Sequence, residues 1–170
     1  MKMLKFILAP LALCAASLGA QAQDGSVVTE DNQVGDWLVR CVTQGEAPRE
    51  CAMITRAVNV EQQDLAIIRF IRVSEEQRRG DEQLAAQLTV PTNVNVRAGI
   101  EIVVDQNVIT TVDYEVCTPR NCITTFAVTD EMIATMGNGF GAALVLTDAT
   151  GLRVQAIFSL DGFLRATELL

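Results

Sequence analysis

Four cysteines set in two short-range pairs constrain this chain more than any other feature. Nine residues separate Cys41 from Cys51 and four separate Cys117 from Cys122. Each interval carries turn-forming residues, Gly45 and Pro48 in the first and Pro119 and Asn121 in the second. Four cysteines permit three pairings, and the spacing favours Cys41 with Cys51 and Cys117 with Cys122, because each bond then closes around a turn. A bridge across so short a loop stabilises by about 2 to 3 kcal/mol in the chain-entropy account. Common zinc modules space their cysteines two residues apart, as do redox-active C-x-x-C dithiols, so structural disulfides are favoured over a thiolate metal site or a redox centre.

Disulfides presuppose an oxidising compartment, and the start of the chain is consistent with one. Lys2 and Lys5 precede an apolar run over residues 6–18, and Ala20-Gln21-Ala22 is an A-x-A site with cleavage expected before Gln23. Residues 1–22 are therefore expected to be a signal peptide and residues 23–170 a single domain, a length that suits one core. The run is shorter than the roughly 20 residues that span a bilayer and no later stretch reaches that length, so no transmembrane segment is expected in the mature chain. Cys14, the fifth cysteine, leaves with the leader and makes the remaining number even. A lipid anchor on Cys14 is disfavoured because Leu13 stands where a small residue is needed. Loss of Lys2 and Lys5 leaves 11 basic against 21 acidic residues, a formal charge of −10. That balance argues against nucleic acid and anionic lipid, whose binding needs clustered cations. The expected location is the periplasm or, after secretion, the cell surface.

The body of the chain reads as strands. Trp37, Val39 and Cys41 alternate with Leu38, Arg40 and Val42, which places the only tryptophan and a cysteine on one face. With so few aromatic residues in the chain, Trp37 is read as core packing beside a disulfide rather than as a ligand anchor. Further strands are expected over residues 51–60, 65–73, 84–90, 100–104, 108–116, 123–128, 142–146 and 152–160. Residues 23–32, polar and small, read as a loose leader into the fold. A helix begins at Asp130 with a cap at Thr129 or Asp130 and is expected to stop at Gly137 and Gly139. A second is expected over residues 164–170. The fold class is therefore mainly β, a β-sandwich or irregular barrel with one or two short helices, stapled by disulfides.

No catalytic, cofactor-binding or metal-ligating residues emerge from this pattern. The chain has no histidine, which removes Ser-His-Asp and Cys-His machinery and imidazole metal ligands. Glu75-Glu76 and Asp81-Glu82 are adjacent acids that a carboxylate hydrolase would need to bring across a cleft, but neighbouring acids in a charged segment read better as a solvated face. Arg78 and Arg79 belong to the same solvated loop. Asp148 to Gly151 lacks the serial acids of a calcium loop and reads as a turn.

Taken together, Gly35-Asp36-Trp37 with Cys41 and Cys51, Leu88-Thr89-Val90-Pro91 followed by Gly99-Ile100, Cys117 with Cys122, and Phe158-Ser159-Leu160-Asp161-Gly162-Phe163 resemble the invasion-associated locus B family of alphaproteobacterial envelope proteins. The resemblance runs over nearly the whole mature chain. It implies a periplasmic or surface-associated protein, linked in pathogenic members to entry into host cells, and it brings no catalytic residues or cofactor. The function expected is non-enzymatic binding, to an envelope or host-surface protein or glycan. A periplasmic small-ligand-binding domain, with its cleft between sheets, is the alternative.

Overall fold

The structure, a computed structural model, describes residues 26–78, 80 and 82–170. The leader expected at residues 1–22, with Cys14 and the cleavage site before Gln23, lies outside the described residues, as do Arg79 and Asp81. Strands β1 (Val27–Val34) and β2 (Trp37–Gln44) form a hairpin across Gly35-Asp36, and β3 (Glu50–Val58), β4 (Asp64–Arg72) and β5 (Leu84–Val90) continue it as a meander. Then come β6 (Ile100–Val104), β7 (Asn107–Val112), the two-residue β8 (Val116–Cys117) and β9 (Cys122–Val128). Helix α1 (Asp130–Asn138), strands β10 (Ala142–Thr147) and β11 (Arg153–Phe158) and helix α2 (Phe163–Thr167) complete the fold.

Hydrogen bonding links the strands in the order β7-β6-β10-β11-β3-β4-β5-β9-β8, with β2 also paired to β3 and β1 to β2. Strand β3 is the branch point. Its Glu50–Ile54 half pairs with Val42–Leu38 of β2, whereas on the same side Val58 pairs with Ile157 of β11. The sheet therefore forks there and curls into a half-barrel. Of the two architectures expected, this open half-barrel is nearer the irregular barrel than the sandwich.

Period-two alternation fills the concave side. Val39, Met53, Ile68, Phe70, Leu88, Ile102 and Leu144 are all buried, each on the inner face of its strand. Trp37 is 0% exposed and meets Phe70 and Phe163 edge-on, at centroid distances of 5.7 and 5.4 Å, while those two phenyl rings lie 5.6 Å apart. Its indole N–H is buried without an acceptor among the described residues, so the ring contributes there by packing alone. Phe163 comes from α2, which packs against β1, β2 and α1.

The two segments that carry most of the family resemblance interlock. Gly35 has φ +59° and Gly162 φ +83°, both in the left-handed region that glycine tolerates. A methyl group on Gly162 would overlap the Val34 carbonyl, and one on Gly35 would overlap the Asp161 carbonyl. Asp36 N–H donates to the Asp161 oxygen at 3.1 Å, and the Thr55 hydroxyl donates to the Asp36 carbonyl at 3.0 Å. The first hairpin turn is thus locked onto the approach to α2.

Three expectations need correction. The loose leader expected at residues 23–32 is instead, from Val27 on, part of a full strand to Val34, every residue of which has a partner in β2. The strand is exposed along nearly all its length, so the two-residue Gly35-Asp36 turn and the pairing itself hold it, and burial leaves no periodic mark in its sequence. Residues 108–116 are not one strand: β7 ends at Val112, and Val116 opens β8 after a break. Gly137 does not stop α1 but lies within it, where any side chain would strike Leu164 of α2, and the helix ends at Gly139.

Candidate functional site

Each disulfide joins residues that face one another across a strand pair. Cys41 lies opposite Cys51 between β2 and β3, and Cys117 opposite Cys122 between β8 and β9, with Cα atoms 4.0 Å apart in both. All four sulfurs are bonded, so none is a thiolate nucleophile or metal donor in this state. Glu75 and Glu76 lie in an exposed 3-10 turn. Asp148 accepts from the Thr150 hydroxyl at 2.6 Å and from the Leu152 amide at 2.9 Å, and these bonds hold its carboxyl below the usual range. The Arg40 and Arg153 guanidiniums likewise hold the Asp31 and Glu101 carboxyls low through bidentate hydrogen bonds. These shifts run opposite to that of a carboxyl poised as a general acid at neutral pH. Among the described residues no group of three or more Cys, Asp or Glu could hold a metal ion.

Concave space is divided unequally between the two sides of the sheet. Inside, between Phe70, Phe158, Met136 and Leu144, the void is about 10 Å³, no more than one water would fill. Outside, at the fork beside β3, an open groove of about 820 Å³ is lined by Leu38, Ile54, Val58, Ile67, Phe140 and Ile157. Register explains why these residues meet. Leu38 faces Ile54 across β2 and β3, Ile67 faces Arg56 across β3 and β4, and Val58 faces Ile157 across β3 and β11. Ile67 and Ile157 remain 48% and 45% exposed. Gln33, Asp36, Gln62 and Ser159 supply a polar rim.

Phe140 dominates this groove at 98% exposure, and it is held in place from behind. Asp105 occupies the two-residue β6–β7 turn with φ +47°. Its carboxylate accepts from the Phe140 amide at 2.9 Å and the Gly141 amide at 3.0 Å, while the Asp105 amide donates to the Gly141 carbonyl at 3.0 Å. The phenyl ring is therefore offered to solvent from a clamped backbone. None of the groove residues stands out as a site in the sequence, because its outer-face aliphatics come from four separate strands. The one local signal is the aromatic between two glycines in Gly139-Phe140-Gly141.

The class these features define is a disulfide-stapled β half-barrel with a filled interior and an open groove on the outer face. The chain belongs to the invasion-associated locus B family: the family model described as Invasion associated locus B (IalB) protein matches residues 37–170. Among solved structures, the crystal structure of invasion associated protein b from Bartonella henselae is similar in fold, with a TM-score of 0.67 at 19% sequence identity, over 82% of this chain and 94% of that one. No curated protein matches the sequence significantly. No helix among the described residues is long and apolar enough to cross a membrane.

Proposed function

We propose that this chain is an exported, non-enzymatic protein of the cell envelope or its surface that acts by binding a partner protein through the outer groove. The observation that carries this reading is Phe140, a nearly fully exposed aromatic side chain on a clamped loop beside a contiguous aliphatic surface. Exposed apolar patches of that kind mark interaction sites, and a rigid aromatic anchor loses little entropy on binding. Export is supported by the leader at residues 1–22 and by the two disulfides. The Bartonella protein's name associates it with invasion, and entry into host cells is the process in which a surface partner of this chain would act. The small-ligand reading is less well supported, since a cleft inside the half-barrel would need space that Phe70, Met136 and Phe158 fill.

The test is retention of a partner from envelope extracts and host-cell membranes. Wild-type protein is expected to retain a defined partner that Phe140→Asp and Ile157→Asp lose, while Val116→Asp, an exposed change on the far edge strand, retains it. Equal retention by all the variants would contradict the groove as the binding surface. Mass analysis of the exported protein should find Gln23 as its first residue.

A further inference from the structure

A second groove, on the opposite end of β3 and β4, gathers four arginines of this acidic molecule. Beyond residue 22 the chain has no lysine, and all 11 of its cations are arginines. Five of the described arginines, Arg40, Arg49, Arg56, Arg153 and Arg165, pair with carboxylates. Of the other five described arginines, Arg69, Arg72 and Arg78 line one groove of about 620 Å³ together with Arg49. Arg72 is committed to the fold, since it donates to the backbone oxygens of Thr167 and Leu170 at 3.3 and 3.1 Å. Arg69 projects from the outer face of β4 between Ile54 and Gln87, and Arg78 Nε is buried without a hydrogen-bond acceptor among the described residues. A buried guanidinium donor left unpaired is costly, and an oxyanion is its natural complement.

We propose that this groove binds carboxylate side chains of an acidic polypeptide segment, with Arg69 and Arg78 as the recognising forks. Glu50 and Glu75 also line it, so the local positive excess is small. It suits one or two carboxylates rather than a nucleic acid or an anionic membrane, which need many cations and are repelled by the chain's overall charge. Ile71, Val73 and Leu170 share the lining and give apolar contact to the residues between the acids of an extended chain. Guanidinium forks match carboxylate geometry in two parallel hydrogen bonds, which lysine cannot provide.

The test uses the whole chain after residue 22 and fluorescence anisotropy with a labelled peptide of alternating glutamate and leucine. Saturable binding is expected that weakens with added salt. The double variant Arg69→Gln with Arg78→Gln should weaken it tenfold or more, whereas Arg97→Gln with Arg120→Gln, unpaired arginines elsewhere, should leave it within twofold. Phe140→Asp should also leave it unchanged, which separates this site from the outer groove. Unaltered melting temperatures in these variants establish that the fold is intact. No saturable binding, equal binding of the matching lysine-leucine peptide, or indifference to the Arg69 and Arg78 changes would overturn the assignment. So would displacement of the peptide by inorganic phosphate at lower concentration than by glutarate, which would make the site one for phosphate.

Discussion

The two faces of the sheet at β3 and β4 use the same kinds of residue to opposite ends. On the concave side, Met53, Ile68 and Phe70 are buried against Trp37, Phe163 and the helices, with almost no space left between them. On the convex side, Ile54, Val58 and Ile67 alternate with them along the same strands, the first two half-buried and Ile67 exposed, next to Phe140. The first set lowers the free energy of the fold. The second leaves apolar surface in water, which does nothing for the folded state and is consistent with a surface kept for contact. The difference teaches that hydrophobicity alone does not locate a core here; the parity of each residue along its strand does.

The largest expected effect comes from the concave side. Trp37→Ala removes the ring shared by Phe70 and Phe163 and should cost about 3 to 5 kcal/mol in chemical denaturation, enough to threaten folding. A loss below about 1 kcal/mol would mean that the concave face is not the core on which the comparison depends.

Next come the staples, one between β2 and β3 beside the fork and the other between β9 and the edge strand β8. Replacing Cys41 and Cys51 by serine should lower stability by about 3 kcal/mol, and replacing Cys117 and Cys122 by about 2 kcal/mol, because the second bond closes the shorter loop. Denaturant midpoints of the two double variants check the order. Peptide mass mapping without reductant should find Cys41 joined to Cys51 and Cys117 to Cys122.

How much of this was legible in the sequence follows from the same parity argument. Trp37, Val39 and Cys41 announce an inner face by alternation, and each proves buried. The short cysteine intervals likewise mark the hairpin β2–β3 and the turn into β9. Strand β1 was not legible, since Glu30, Asp31 and Asn32 face water on both sides and carry no apolar period. The fork at β3 was not legible either. It arises because Val58 pairs with Ile157, a residue 99 positions away along the chain, and no local pattern encodes such a partner. The outer groove inherits that blindness, because Leu38, Ile67, Phe140 and Ile157 become neighbours only after the sheet has forked.

A smaller effect concerns exposed carboxylates held by ion pairs or local hydrogen bonds. Asp31, Glu101 and Asp148 have carboxyls held below their ordinary values of 3.8, 4.5 and 3.8, through hydrogen bonds from Arg40, Arg153 and Thr150 respectively. A depressed folded-state value means that these groups stabilise the fold above the unfolded value and lose that contribution as pH falls through the folded one. The denaturant midpoint is therefore expected to fall as pH drops below about 4, and by less in high salt because the groups are exposed. A midpoint that rises toward acid pH would show that these contacts do not hold in solution.

The smallest effect on stability and the largest on function are expected from the same substitution. Phe140→Asp changes a side chain that buries almost nothing, so its denaturant midpoint should match wild type to within about 0.5 kcal/mol. Partner retention from envelope extracts and host-cell membranes, measured with Phe140→Asp beside wild type and Val116→Asp, tests the central claim most directly. Loss of the partner in Phe140→Asp alone, with unchanged stability, is the predicted result. Retention of the same partner by Phe140→Asp would contradict the claim that the convex groove is the functional face.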